Sequence, residues 1–404
     1  MTRVTFRARH LATMTEPLID DGCVVVEGDC IVAVGRIEDL RPPKVDHDID
    51  GVLMPGLINA HTHLELTNVP RPASPGTFQD WLLTTMAASR QSEGYNHSAA
   101  VEAGVAQCLR FGVTCVGDIA QQVGLAREVL RDMPIRAVSF GECLGLSEGR
   151  FELLLTKATT CGEATERLQL GVSPHAPYTV HEEGYRRAFE AASECNCPVT
   201  THLAETADEA PFLRDHGGAF AELYHALGID PGESPRWDKP IEAFVESLKP
   251  RSLPLLCAHM NVATPALFRL MGARKMDVVW CPRTHAYFGR GPHPWRAMRA
   301  AGMRVCVGTD SCASSPDLNL VDDLRLILEQ EPSVAPELLW SMVTIDAAEA
   351  LGWSGVLIGR LEAGAAADFV VFPTTGGNPL REILDSPAML PSAVWVAGQR
   401  VGPS

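Results

Sequence analysis

The sequence predicts an α/β protein in which a (β/α)8 TIM-like barrel carries a small composite β-sandwich built from both ends of the chain. Two observations support this prediction. Short apolar strands alternate with longer helical patterns about eight times along the middle of the chain, and strand-like segments without such helices open and close it. Alternating strands and helices favour parallel βα units, and about eight in succession favour a closed barrel.

We place the domain boundaries where the alternation of predicted strands and helices begins and ends. The segments "DGCVVVEGDCIVAVG" near the start and "SAVWVAGQRVG" near the end are typical of strands. We therefore assign residues 1–53 and 346–404 to the composite sandwich and residues 54–345 to the barrel. Residues 217–251 are longer and richer in proline and charge than a simple βα connection, which predicts an insertion over the barrel mouth. A solvated surface excursion without a role is the alternative.

Composition and charge restrict the classes of partner. The chain has 404 residues, of which 46% are hydrophobic, and a formal net charge of -16. This charge repels the phosphates of nucleic acid and of anionic membranes, so neither is expected as a partner. No apolar run approaches the ~20 residues of a membrane span, and the first residues lack the apolar core of a signal peptide. We expect a cytoplasmic protein with reduced cysteines that acts on a small molecule.

Four predicted strands end in side chains that bind metal ions. These candidate residues are His61 and His63 in "LMPGLINAHTH", His202 in "PVTTHLAE", His259 in "LPLLCAH" and Asp310 in "RVCVGTD". A single histidine at a strand end is more often structural, but the carboxyl ends of barrel strands converge on one face. His61 and His63 stand at alternate positions, so their side chains point the same way. The set predicts a divalent metal site, with zinc favoured over iron or manganese.

Several blocks in their order along the chain carry a family resemblance. "MPGLINAHTHLEL", "GTDSCASSPDLNLVDDLR" and "GRLEAGAAADFVVF" resemble the amidohydrolase superfamily, and specifically its nucleoside and aminopurine deaminase branch. The resemblance implies a single metal held by His61, His63, His202 and Asp310. It also implies that His259 orients the metal-bound water and that Glu205 shuttles protons, a role that Asp310 shares. The strand "LQLGVSPHAPYT" has no lysine to bridge two metals, so one metal is expected.

The implied activity is hydrolytic deamination of a 6-aminopurine nucleoside derivative with release of ammonia. An aminofutalosine-like substrate is favoured because "SFGECLGL" and "CPRTHAYFG" resemble blocks of aminofutalosine deaminases. This resemblance places Glu142, Arg283 and His285 around the substrate. Aminofutalosine carries a benzoate, and the planar guanidinium of Arg283 suits a carboxylate; a structural ion pair is the alternative.

Further substrate contacts are expected from two other segments. By the same resemblance, His175 in "SPHAPYT" faces the substrate and Tyr178 stands nearby; a structural capping role is the alternative for His175. Trp81 in "FQDWL" follows the first barrel strand and is a candidate for stacking on a purine, although packing against the barrel rim accounts for it equally well.

Other functions remain open at this stage. S-adenosylhomocysteine and methylthioadenosine deaminases are one alternative, although "CPRTH" stands where the former usually have an asparagine-proline-x-serine-asparagine block. Triazine or guanine-type aminohydrolases share the one-metal arrangement. Cyclic-amide hydrolases are disfavoured by the missing lysine, and a non-catalytic scaffold is disfavoured because every ligand position is filled. Relatives are often dimers, so a homo-oligomer is expected.

Overall fold

Two sheets organise the protein, for which a computed structural model describes residues 3–90, 94–145, 147–229, 240–247 and 254–402. One sheet has eight strands, all paired in parallel, and the other has seven strands from the two ends of the chain. The predicted barrel and the composite terminal β domain are therefore confirmed. No helix in the described ranges is both long and apolar enough to cross a bilayer.

The strands in chain order are β1 (Arg3–Leu11), β2 (Ile19–Glu27), β3 (Cys30–Arg36), β4 (His47–Pro55), β5 (Leu57–Thr62), β6 (Val113–Ala120), β7 (Arg136–Cys143), β8 (Leu168–Pro174), β9 (Val199–Leu203), β10 (Leu255–His259), β11 (Asp277–Trp280), β12 (Val305–Val307), β13 (Phe369–Phe372), β14 (Ala393–Val396) and β15 (Gln399–Arg400). The helices are α1 (Ile37–Leu40), α2 (Phe78–Arg90), α3 (His97–Arg110), α4 (Val123–Asp132), α5 (Glu148–Thr160), α6 (Glu182–Cys195), α7 (Glu209–Asp215), α8 (Ala219–Ala226), α9 (Ile241–Ser247), α10 (Pro265–Ala273), α11 (Pro282–Tyr287), α12 (Trp295–Ala300), α13 (Leu320–Gln330), α14 (Pro336–Ser341), α15 (Ile345–Ala350) and α16 (Pro379–Asp385).

The terminal sheet runs in the order β15-β14-β13-β4-β1-β2-β3, with β1 and β4 parallel and the other pairs antiparallel. It is strongly curved. The ring of Phe6 on β1 lies 5.4 Å from that of Trp395, although β14 is three strands away in this order. Strands in a flat sheet stand ~4.8 Å apart, so these two would be separated by about 14 Å. The sheet thus curls over a shared apolar core, as a sandwich does.

The barrel strands follow chain order from β5 to β12, and the barrel closes where these two strands meet. The backbone N–H of Asp310 donates to the carbonyl of His61 at 3.0 Å, and Asn59 Nδ2 donates to Thr309 Oγ1 at 2.7 Å. A Cβ atom at Gly308 would lie 2.8 Å from the backbone nitrogen of His61. Glycine at this position therefore allows the first and last strands to approach each other.

The predicted insertion at 217–251 is described in part, since its residues 230–239 and 248–251 lie outside the described ranges. Within the described part, α8 packs against the end of the barrel. The ring of Phe220 stacks on that of Tyr178 with 4.0 Å between centroids, and the hydroxyl of Tyr224 donates to the Tyr178 carbonyl at 2.6 Å. Helix α8 therefore fixes the position of Tyr178 through one ring contact and one hydrogen bond.

A buried ion pair joins the barrel to the terminal domain and provides a test of the packing between them. Arg136 Nε at the start of β7 lies 2.5 Å from Asp368 Oδ2, and both side chains are 3% exposed. We expect Asp368→Asn to lower the free energy of unfolding by about 3–5 kcal/mol, because it leaves a buried guanidinium without its counter-charge. Urea denaturation measures this loss.

The matched control is Asp385→Asn, which removes an exposed partner of Arg381 on α16. Exposed pairs contribute about 0–1 kcal/mol, so this variant should unfold close to the wild-type midpoint. Equal losses in the two variants would contradict a special role for the buried pair.

Candidate active site

Three histidine side chains from two strands meet at the carboxyl end of the barrel. One ring nitrogen of each of His61, His63 and His202 lies within 4.8 Å of the others. His61 is 1% exposed, and neither of its ring nitrogens has a hydrogen-bond partner within the described ranges. Buried polar atoms are normally satisfied, so this group fits a divalent metal ion that accepts imidazole ligands.

The protonation state of the cluster also suits a metal. Burial, together with the neighbouring histidines, lowers the pKa of His61 and His202 well below the usual range, so both rings are neutral. The Nδ1 of His202 lies 3.0 Å from the carbonyl oxygen of His175, to which it must donate. Its Nε2 therefore keeps the lone pair that a metal requires.

Asp310 lies beside this cluster. Its Oδ1 is 3.9 Å from His61 Nε2 and 3.7 Å from His63 Nε2. The residue follows β12 in a left-handed backbone conformation with φ of 59°. Its carboxylate accepts from the Ser311 N–H at 2.8 Å and from Ser314 Oγ at 3.3 Å. These contacts hold one carboxylate at the edge of the histidine cluster, where it can serve as a fourth ligand.

Two further groups flank the cluster on the side of β10. The Nε2 of His259 lies 3.8 Å from Glu205 Oε2, and its ring is 5.4 Å from that of His61. Burial raises the pKa of Glu205 to about 8; the carboxylates of Asp310 and Glu209 add to this effect and Arg290 opposes it. The Glu205 carboxyl group can therefore hold a proton at neutral pH and release it with little cost.

A cavity opens from the cluster toward the surface. The structure places nine of the predicted site residues on its wall: His63, Trp81, Glu142, His175, Tyr178, His202, Glu205, His259 and Asp310. Glu142, His175 and His202 also form a second group with metal-ligand spacing, which shares His202 with the first. The structure brings these residues together, while the individual roles given to them stay predictions.

The remaining lining residues were not identified from the sequence. They are Leu66, Phe78, Leu82, Thr85, Met86, Ser89, Gln121 and Ser311. Most belong to α2, where positions 81, 82, 85, 86 and 89 share one helical face. Once Trp81 is assigned to the cavity, helical periodicity alone identifies Thr85 and Ser89.

Arg283 lies outside the cavity wall, where it forms the structural ion pairs that are the alternative to a substrate contact. Its Nε donates to Asp323 Oδ2 at 2.9 Å, its Nη1 donates to Asp317 Oδ1 at 2.8 Å, and it does not line the cavity. Asp323 on α13 is fully buried and captures the guanidinium as a structural ion pair. His285 is likewise engaged, with its two ring nitrogens against Asn261 and Gly291.

Comparison with known proteins identifies the family of the chain. A model described as the amidohydrolase family matches residues 52–401. The chain belongs to this family. This amidohydrolase is accordingly a hydrolase of carbon–nitrogen bonds, and it resembles the family's nucleoside deaminase branch.

Its relatives span most of the chain. An aminodeoxyfutalosine deaminase from Deinococcus radiodurans is 28% identical over 332 residues, covering 79% of this chain and 78% of that one. A 5-methylthioadenosine/S-adenosylhomocysteine deaminase from Halobacterium salinarum is 28% identical over 375 residues, covering 87% and 80%.

Two solved structures share the fold of this amidohydrolase. Aminofutalosine deaminase from Helicobacter pylori, in complex with methylthio-coformycin, has a TM-score of 0.86 at 22% identity and covers 98% of this chain and 100% of that one. An adenosine deaminase from Xanthomonas campestris with bound zinc has a TM-score of 0.83 at 23% identity, covering 99% and 93%.

The histidine cluster predicts how the metal content depends on individual residues. We expect His61→Ala to lower the zinc retained after dialysis by about tenfold or more, because each ligand contributes to an affinity of many kcal/mol. Inductively coupled plasma mass spectrometry measures the zinc content. His10→Ala is the control, since this histidine on β1 contacts Asp20 and should leave the zinc content unchanged. Equal zinc in the two variants would exclude His61 as a ligand.

Proposed function

We propose that this amidohydrolase is a metal-dependent deaminase that hydrolyses the 6-amino group of a purine nucleoside derivative, with an aminofutalosine-like substrate as the first candidate. One observation carries the proposal: the neutral buried imidazoles of His202 and His259 face one cavity together with Asp310 and with the Glu205 carboxyl group, whose pKa is about 8. The relatives named deaminases support the reaction class.

His61, His63, His202 and Asp310 would hold one divalent metal. Zinc is the first choice because imidazole nitrogens and a carboxylate oxygen suit it, and iron and manganese accept the same donors. When bound, such a metal acts as a Lewis acid that lowers the pKa of water from 15.7 toward ~7. The adenosine deaminase structure with zinc supports this choice.

Glu205 would transfer the protons. Deamination adds the water oxygen to C6 of the purine, while one proton goes to a ring nitrogen and another goes to the amine that leaves as ammonia. A carboxyl group whose pKa is raised to about 8 by burial is largely protonated near neutral pH, so it can give its proton to the ring nitrogen and then take one from the reacting water for the leaving amine. His259 lies 3.8 Å away and orients the reacting water from the same side.

The substrate ring would contact His175 and Glu142. The Nε2 of His175 lies 3.9 Å from Glu142 Oε1, and its Nδ1 lies 2.7 Å from Thr179 Oγ1. These two side chains line the cavity beside His202 and offer hydrogen-bonding groups to purine nitrogens. Tyr178 and Trp81 add aromatic surface to the same wall.

The 5′ substituent would lie against α2, whose contribution to the cavity is largely apolar through Phe78, Trp81, Leu82 and Met86. A benzoyl group fits this wall. No lysine or arginine of the described residues lines the cavity, so an uncharged 5′ group is also well accommodated. This observation favours methylthioadenosine as a second candidate, because neither the benzoate of aminofutalosine nor the amino-acid tail of S-adenosylhomocysteine would find a lysine or arginine among the described lining residues.

An ammonia-release assay of the zinc-loaded protein tests the proposal. We expect ammonia release from aminofutalosine or methylthioadenosine, and we expect the kcat/KM for methylthioadenosine to lie at least about tenfold above that for S-adenosylhomocysteine, because a buried unpaired charge costs more than ~1.4 kcal/mol. Adenosine, guanine and a triazine complete the panel. Turnover of guanine or the triazine alone, or of no compound, would overturn the proposal.

Glu205→Gln tests the proton transfer separately. This variant should keep its zinc and lose about 10²–10⁴ in kcat, because an amide cannot accept the proton that the carboxylate takes. Glu382→Gln is the control, since the Glu382 carboxylate accepts hydrogen bonds from exposed groups of Thr375 and Gly376, far from the cavity. Normal turnover by Glu205→Gln would remove Glu205 from the mechanism.

The position of Thr85 on the cavity wall predicts a hydrogen bond between α2 and the substrate. It is 5% exposed, lines the cavity, and its Oγ1 has no hydrogen-bond partner among the described residues. We expect Thr85→Val to raise KM for the preferred nucleoside about three- to tenfold, the value of one neutral hydrogen bond. Thr84→Val on the neighbouring exposed position is the control, and steady-state kinetics measure both. An unchanged KM for Thr85→Val would place the substrate away from this side chain.

A further inference from the structure

The carboxylate of Glu205 is not fixed directly by a side-chain hydrogen bond within the described ranges. Two ionisable side chains lie near it, with His259 Nε2 at 3.8 Å and Arg290 Nη2 at 3.9 Å. Both distances exceed that of a hydrogen bond. The hydrogen bonds that hold Glu205 among the described residues are therefore those of its backbone.

The backbone N–H groups at and beside Glu205 donate to the side chain of a second glutamate. Glu209, the first residue of α7, accepts from three successive backbone N–H groups, those of Ala204 at 2.9 Å, Glu205 at 2.6 Å and Thr206 at 3.2 Å. Its side chain is buried, with the residue 1% exposed. Ala204 has a left-handed φ of 49°, so the chain turns sharply out of β9 at this point. Without Glu209, three buried donors would lose their partner.

The carbonyl side of the same residue is held by two donors from other loops. Asn261 Nδ2 donates to the carbonyl oxygen of Glu205 at 3.2 Å, and Arg290 Nη1 donates to the same atom. Asn261 is itself oriented by His285, whose Nδ1 lies 2.9 Å from Asn261 Oδ1. Charged and buried hydrogen bonds of this kind are the stronger ones in proteins.

We propose that Glu209, with Asn261 and Arg290 opposite it, forms a peptide clamp that aims the Glu205 carboxylate at the reacting atoms. Glu209 is thus a positioning residue that acts through Glu205 and touches neither metal nor substrate. The inference rests on the proposed function, in which Glu205 moves the protons. A displacement of a reacting group by about 1 Å costs on the order of 10² in rate, so such a clamp acts on kcat.

Glu209→Gln tests the clamp with little change in shape. Both oxygens of the Glu209 carboxylate accept from backbone N–H groups. In glutamine one of these oxygens is replaced by an NH₂ group, which cannot accept, so at least one of the hydrogen bonds to residues 204–206 is lost. We expect kcat to fall about 100-fold, with KM and zinc content within about twofold of the wild-type values. An unchanged kcat would overturn the proposal.

A double-mutant cycle distinguishes positioning from general damage. In a Glu205→Gln background, Glu209→Gln should change the residual kcat by less than about twofold, because the group that it positions is already inactive. Asp368→Asn, which weakens the protein at the opposite end of the barrel, is the control and should leave kcat unchanged in both backgrounds. The same loss from Glu209→Gln in both backgrounds would refute action through Glu205.

Hydrogen–deuterium exchange gives a readout independent of turnover. The amides of residues 204–206 should exchange about tenfold faster in Glu209→Gln than in the wild type or in Asp368→Asn. If the wild-type enzyme releases no ammonia from any nucleoside, the proposed function fails, and unchanged exchange in Glu209→Gln would separately refute the clamp.

A second variant covers the case in which Glu209→Gln does not fold. Asn261→Asp removes the donor to the Glu205 carbonyl while keeping an acceptor for His285. It should lower kcat with KM unchanged, and it should have no further effect in the Glu205→Gln background. An unchanged kcat in Asn261→Asp would count against the clamp.

Discussion

The closure of the barrel between β5 and β12 is the constraint on which the rest of the structure depends. Asn59 and Thr309 lie 250 positions apart in the chain and are joined by two hydrogen bonds. The Asn59 side-chain amide donates to the Thr309 hydroxyl, and the Thr309 backbone N–H donates to the Asn59 side-chain oxygen. The adjacent bond from the Asp310 N–H to the His61 carbonyl brings two proposed metal ligands together. The same contact therefore completes the fold and sets the distance between the first and last ligands. His202 and His259 then reach the site because β9 and β10 end at the same edge.

Burial in the site disfavours the charged forms of its side chains. Burial raises the pKa of Asp310 and raises that of Glu205 to about 8, while it lowers the pKa of His61. Each shift records a charge that the folded state disfavours. A ligand that binds only the folded protein stabilises it by mass action, so the proposed metal would stabilise the fold.

The barrel and most of the residues on the cavity wall could be predicted from the sequence, because the position of a residue at the end of a strand depends only on local sequence. A strand in a parallel barrel places its last residues at a known face, so His61, His63 and Asp310 could be grouped without knowledge of any long-range packing. Arg283 could not be placed in this way. Its partner Asp323 lies 40 positions later on another helix, and no local pattern indicates which of several carboxylates captures a given arginine. Glu209 was missed for a related reason, because its side chain binds backbone, which leaves no signature in residue type.

The packing of α8 against Tyr178 affects the shape of the cavity through residues that take no part in the proposed chemistry. Phe220 stands behind Tyr178, and neither belongs to the proposed metal ligands or to the Glu205 clamp. A change of volume at Phe220 would move one wall of the cavity while the histidines, held by barrel strands, keep their positions. A substitution on α8 can thus alter which substrates fit while the proposed metal ligands keep their positions, which makes this helix a suitable place to redesign specificity.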